Sequence, residues 1–245
     1  MTKLALAHLT FEFKKLIRIP AFWVPAVLFP TMLFSFFGVS AAENPERAPY
    51  VMASFSIYAI VGVVFYQFSA TIAQERDSAF DRWARTLAGA SAPSIFARVV
   101  TAVIFGIAAV GLVIATAHVL TTPDITVIQI LKLFAVCALA AVPASLMAVT
   151  LGYLVSSRAA IATANLIFLP LAYLGGLWIP PAGLPETINT LSNYTPTRHM
   201  AELAWHVMAD APMPKESLTA LALFTLLFGA TAYLAARRDS ARRFA

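Results

Sequence analysis

The sequence predicts an all-α membrane protein with six transmembrane helices, and three observations predict it. Hydrophobic residues make up 60% of the chain and charged residues 12%, whereas a soluble domain carries about 25% charged residues. Six runs free of charge, 21–42, 50–74, 99–123, 133–157, 159–185 and 217–236, each reach the roughly 20 residues that cross a bilayer. Lipid offers backbone groups no partner outside a helix or a closed barrel, so apolar runs of this length are helices. The third observation is charge placement. All but four of the 17 Lys and Arg fall on one side of the layout: Lys3, Lys14, Lys15, Arg18, Arg76, Arg82, Arg85, Arg98, Arg158, Arg237, Arg238, Arg242 and Arg243. The other side holds Arg47, Lys132, Arg198 and Lys215. By the positive-inside rule the basic side, with both termini, is cytoplasmic. The net charge of +5 is thereby explained by topology and anionic lipid, and no nucleic-acid partner is inferred from it.

A single permeation-scale domain, 1–245, is expected, with spans at about 21–42, 50–73, 99–121, 132–155, 159–177 and 217–236. Ahead of the first span, Leu6, Leu9, Phe13, Leu16 and Ile17 recur at helical spacing with His8, Glu12 and Lys15 opposite. That is the pattern of an interfacial helix along the inner leaflet. No short apolar stretch with a small-residue cleavage site opens the chain, so no signal peptide is expected. Pro20, Pro25 and Pro30 punctuate the entry to the first span and predict at least one kink in it. The second span is rich in Phe, Tyr and Ser. The third carries Gly106 and Gly111 and the fourth Gly152, small residues that let helices approach closely.

Between the second and third spans, 75–87 concentrates charge: Glu75, Arg76, Asp77, Asp81, Arg82 and Arg85. Read as a helix, Phe80, Trp83, Ala84 and Leu87 share one face. Ser78 with Asp81 makes a capping-box start and Gly89 a stop, which predicts a short amphipathic helix at the membrane surface. The fifth run contains Asn165 and Pro170, and regular helix is expected to end near Gly175 or Gly176. Beyond it, Leu184, Ile188 and Leu191 space as one short helix. Thr195 as cap and Pro196 in the first turn open another, with Met200, Leu203, Ala204, Val207 and Met208 on its apolar face.

Chemistry of other kinds has weak support. No Lys follows the Gly-rich spacing of a phosphate-binding loop, so ATP-driven work needs another polypeptide. Ser40 and His118 invite an intramembrane hydrolase reading, but no nucleophile motif surrounds Ser40. His199, Glu202 and His206 bring metal-ligand types to one helical face without a recognised metal spacing, and the polar face of an amphipathic helix explains them; no metal is expected. The lone cysteine, Cys137, lies in an apolar run and reads as packing. An ion-coupled secondary transporter is the alternative from another class. It is weakened because no Asp, Glu, Lys or Arg lies within the six runs, where carriers commonly place them.

The whole chain resembles the membrane subunit of a type-2 ATP-binding-cassette exporter, the class of drug-efflux and polysaccharide-export permeases. The resemblance is carried by the interfacial N-terminal helix, by Gln74-Glu-Arg-Asp-Ser-Ala-Phe-Asp-Arg-Trp83, and by Ala92-Pro93-Ser94. It is also carried by Tyr173-Leu-Gly-Gly-Leu-Trp-Ile-Pro-Pro-Ala-Gly-Leu-Pro185 and Asn193-Tyr-Thr-Pro-Thr-Arg198. The family often has Gly-Thr-Leu-Glu where this chain has Ala79-Phe-Asp-Arg82. The resemblance implies a permease dimer, of two copies or of paired chains, above two ATPase subunits that bind ATP and Mg; the chain itself is no enzyme and holds no cofactor. It implies a coupling helix in which Glu75, Arg76, Asp77, Asp81 and Arg82 exchange ion pairs with the ATPase while Phe80 and Trp83 fill a groove on it. It also implies outer re-entrant helices between spans five and six, a multi-pass place in the cell inner (plasma) membrane, and a substrate pathway between protomers. Phe65, Tyr66, Phe68, Asn165, Phe168 and Tyr173 are candidates to line that pathway, aromatic residues with a few polar groups that suit hydrophobic or amphipathic cargo.

Overall fold

The computed structural model describes residues 2–76 and 91–243, and among them there are helices and connections but no strand. Helix α1 (Thr2–Ile17) turns at Arg18 and Ile19 into α2 (Pro20–Leu33). The indole of Trp23 ties that turn by donating to the Ile17 carbonyl at 3.2 Å. Pro25 and Pro30 lie within α2, and beyond it a π turn, Phe34–Gly38, leads into Val39–Ala41, which finish the element. Phe34 is fully buried there, with its ring edge-on to Phe55 at 5.5 Å.

Helix α3 (Ala48–Glu75) is the centre of the molecule. Of its membrane-length stretch 89% is buried, against 44% for α4 (Ser91–Leu120) and 50% for α5 (Val127–Leu154). Both flank it. Close approach to α5 is set by Gly152, where an added Cβ would lie 2.8 Å from the Ile72 Cβ and 3.2 Å from the Ser69 carbonyl oxygen. Gly106 faces Ile60 of α3, while Gly111 has nothing within 4 Å of its Cβ position, so only two of the three glycines read as packing residues mark contacts. A capping box of Thr126 and Gln129 starts α5.

Among the described residues five helices are long and apolar enough to cross a membrane: Trp23–Ala41, Ala48–Glu75, Ala97–Leu120, Val127–Leu154 and Lys215–Asp239. The expected span at 159–177 is occupied instead by α6 (Ala160–Leu174), 15 residues long, which at 1.5 Å per residue covers about 22 Å of the roughly 30 Å of hydrocarbon. Its end is fixed by a Schellman motif. Gly176 takes φ +73°, the Leu177 N–H reaches the Ala172 carbonyl at 3.0 Å and the Gly176 N–H that of Tyr173 at 3.0 Å.

After α6 come a 3₁₀ turn (Pro181–Gly183), a short α7 (Glu186–Ser192) and α8 (Pro196–Met208). Thr195 caps α8 by accepting from the Arg198 N–H, and Met200, Leu203, Ala204, Val207 and Met208 are buried. Helix α9 (Lys215–Arg243) lies on the outside of the bundle, 17% of its membrane-length stretch buried, and packs mainly on α5.

Candidate functional site at the foot of the central helix

Glu75 is the last residue of α3 and its only charged one. A carboxylate at the end of an apolar, buried helix must find cations on neighbouring elements. It ion-pairs with Lys15 of α1 and with Arg98 of α4. The same two cations face Glu12 of α1, which lies 3.5 Å from Lys15 and 3.7 Å from Arg98. Two carboxylates and two cations therefore alternate and cancel. With the Glu12 side chain 8% exposed and those of Arg98 and Glu75 20% and 22%, an unbalanced charge here would cost several kcal/mol.

Arg76 begins a second arm. It donates to the Tyr153 carbonyl oxygen near the end of α5 and lies 3.6 Å from Asp239 of α9. Helices α1, α3, α4, α5 and α9 thus meet around residues 75 and 76, at the root of the charged stretch. Phe68, Gln67 and Leu16 line the same small cavity as Glu12 and Arg98.

The face of α1 differs from the one its periodicity predicts. Leu16 is buried and Phe13 stacks on Phe105 at 5.8 Å, as expected of an apolar face. Glu12, expected on the polar side with His8 and Lys15, is 6% exposed, while Leu6 and Ile17 are 64% and 47% exposed. The reason is electrostatic: Arg98 and Lys15 supply the compensation that lets a carboxylate turn inward.

Of the residues expected to meet an ATPase, Glu75 and Arg76 make the contacts above within the chain. Asp77, Phe80, Asp81, Arg82 and Trp83 lie outside the described residues, as do the expected Ser78 cap and Gly89 stop. Four of the six pathway candidates come together along an aromatic seam between α3 and α6. Phe168 sits 6.1 Å from Phe65 and 5.7 Å from Tyr66, and Tyr66 donates to the Asn165 side-chain oxygen at 2.5 Å. Phe65 and Phe168 are fully buried inside the protomer, whereas Tyr66 and Asn165 are partly exposed. Phe68 is buried one turn nearer the ionic cluster, and Tyr173 is partly exposed at the far end of α6. Sequence reasoning did not foresee that Tyr58 and Trp178 extend the seam, Tyr58 lying 5.1 Å from Phe168 and 5.8 Å from Trp178.

A family model described as ABC-2 type transporter matches residues 4–209. The chain belongs to the ABC-2 type transporter family. The match runs from α1 through α8 and leaves α9, with its Asp239 contact to Arg76, beyond it. No curated protein matches the chain.

As an ABC-2 permease the chain is a transport membrane component, and the residues considered for other chemistries make the following contacts. Ser40 donates to the Phe37 carbonyl at 3.2 Å and the His118 Nδ1 lies 3.0 Å from the Ile114 carbonyl, each within its own helix. The polar atoms of His199, Glu202 and His206 are engaged by protein partners, His199 Nδ1 by the Ser217 hydroxyl of α9 at 3.3 Å. The His199 Nε2 faces the Asn193 carbonyl at 3.0 Å, Glu202 accepts from Arg198 at 2.8 Å, and the His206 Nδ1 faces the Glu202 carbonyl at 2.8 Å. Cys137 is fully buried in the core.

Proposed function

We propose that this permease is the membrane half of an ATP-driven exporter, working as a homodimer or a paired permease above two copies of a separate ATPase that binds ATP and Mg. The observation that carries the reading is the foot of α3. The most buried helix of the bundle ends in a charge network at the root of a stretch with six charges, and a chain of this family that carries no phosphate-binding loop needs such a receiver for work done elsewhere. In this reading Asp77, Asp81 and Arg82 exchange ion pairs with the ATPase, and Phe80 and Trp83 anchor in its surface as aromatics do at interfaces. Glu75 and Arg76 form the inner end of that contact, where it joins the bundle.

The basic end, with both termini, faces the cytoplasm of a cell whose inner membrane the protein spans. Helix α6 completes a sixth crossing with the turn that follows it, and α7 and α8 form the re-entrant outer pair. Cargo passes between protomers past the exposed side of the seam, Tyr66, Asn165 and Tyr173, with Phe65, Phe68 and Phe168 as its apolar backing. Such a surface suits a hydrophobic or amphipathic small molecule such as a drug, a lipid or a glycan-linked compound.

Purification from the native membrane in mild detergent, followed by mass spectrometry of what co-purifies, tests the reading. An ATPase is expected with the wild type and is expected to be lost with Phe80→Ala/Trp83→Ala. Absence of any ATPase from the wild-type sample would turn the case to an ion-coupled carrier, to be assayed by gradient-driven transport.

A further inference from the structure

The Glu75–Arg98 pair closes a bracket. Glu75 is the last residue of α3 and Arg98 lies two turns into α4, so the ion pair between them joins the two ends of 76–97 at its base. Arg98 also turns its Nε toward Glu12, 3.7 Å away on α1, an element that no chain connection links to this stretch. Resting on the exporter reading, we infer that Arg98 is a positioning residue for coupling: through Glu75 and Glu12 it binds the ends of α3, α4 and α1 into one unit that moves when 76–97 is displaced.

Three physical points support this. The Arg98 guanidinium pairs with Glu75 on α3 and holds its charge 3.7 Å from Glu12 on α1, an attraction of charges and not a hydrogen bond, so one side chain faces carboxylates of two other helices. Lys15 completes the circuit from α1 to Glu75, so the three helix ends are tied pairwise. Finally, a buried ion network is a poor choice for stability alone, since apolar side chains of similar volume stabilise as well or better. What the charges add is a fixed set of partners, and the partners chosen are the two helices that flank the stretch in sequence, α3 and α4, together with α1.

The test uses the permease co-purified with its ATPase and placed in lipid nanodiscs, in a Cys137→Ala background. Spin labels at Ile104→Cys on α4 and Leu226→Cys on α9, both exposed positions, report the distance without nucleotide and with ATP and vanadate. Wild type is expected to show a nucleotide-dependent shift, and Arg98→Met to lose it while the ATPase still co-purifies. Arg98→Met leaves an unbalanced carboxylate, so Glu12→Gln/Arg98→Met is the companion: it restores neutrality and keeps Lys15 on Glu75. That double variant is expected to melt as wild type does and still to lack the shift. A shift retained in Arg98→Met, or regained in the double variant, overturns the inference and reduces Arg98 to charge balance. A double variant that no longer folds overturns it too, by making the residue structural. No ATPase, or no shift in wild type, overturns the exporter reading and this inference with it.

Discussion

The two ends of α3 are held by different physics. At the foot, Glu75 and Arg76 are engaged by Lys15, Arg98, Asp239 and the Tyr153 carbonyl, drawn from four other helices and mostly withdrawn from solvent. At the head the contacts are neutral. Ser54 accepts from the Trp205 indole at 2.8 Å, Phe55 meets the edge of Phe34, and Tyr58 lies against Trp178. The ion pairs of that end belong to other elements and not to α3: Lys132 on Asp210 at 3.0 Å, largely in solvent, and Arg198 on Glu202 at 2.8 Å, a local pair within α8. Apolar packing is non-directional and can be remade as helices shift, whereas a buried charge network has one good set of partners. The difference teaches that the foot specifies which helices stay together and the head leaves room for rearrangement, an arrangement suited to a bundle driven from one end.

The largest effect is expected where the foot is wedged apart. In Gly152→Val the new Cβ meets the Ile72 Cβ and the Ser69 carbonyl, neither of them the far end of a flexible side chain. Overpacking of this kind costs about 1–3 kcal/mol, and here it also pushes the adjacent Tyr153 carbonyl away from Arg76. Thermal unfolding in a fixed detergent should show a clear loss, with Gly111→Val, whose Cβ position has nothing within 4 Å, as the silent counterpart. Equal losses in the two variants would remove the claim that the α3–α5 contact sets the foot.

At the head, Trp205→Phe keeps an aromatic ring but removes the donor to Ser54. Interhelical hydrogen bonds in membranes average about 0.6 kcal/mol and reach about 1.7, so a loss within that span, smaller than that of Gly152→Val, is expected. Ser54→Ala should give a similar loss, and the double variant no more than either alone. Additive losses would mean that the indole acts through packing, for instance against Arg198, whose guanidinium carbon lies 5.6 Å from its ring, and the head would then be held differently from the account above.

Which of these features the sequence announces depends on whether the cause is local. The apolar runs, the Thr195 cap with Pro196 behind it, and the end of α6 at Gly175 and Gly176 are each set by a few neighbouring residues, and the structure has them there. The aromatic seam was legible in part, because Phe65, Tyr66, Asn165 and Phe168 stand out in their runs. Glu12 was not: periodicity sends a lone carboxylate to water unless its cation is known, and Arg98 stands on another helix far along the chain. Asp239 was hidden in the same way, inside a tail that reads as basic. The charge-free run 159–185 is long enough for a full span, but the stop at Gly175 and Gly176 leaves a helix of 15 residues, Ala160–Leu174, shorter than the 159–177 span expected.

The smallest effect is expected from Lys132→Ala. Its partner Asp210 is 75% exposed and the Lys132 side chain 47%, so water and salt already screen the pair, and exposed pairs contribute about 0–1 kcal/mol. Melting should therefore fall only slightly, and raising the ionic strength should bring wild type down to the variant, because a pair in water is screened within a Debye length. The network at Glu12 and Arg98 is mostly shielded from solvent, so the same salt should leave a foot variant such as Arg98→Met as far below wild type as before. If salt erased that difference as well, the charges at the two ends of α3 would be equivalent in kind, and the foot would have no claim to be the fixed end.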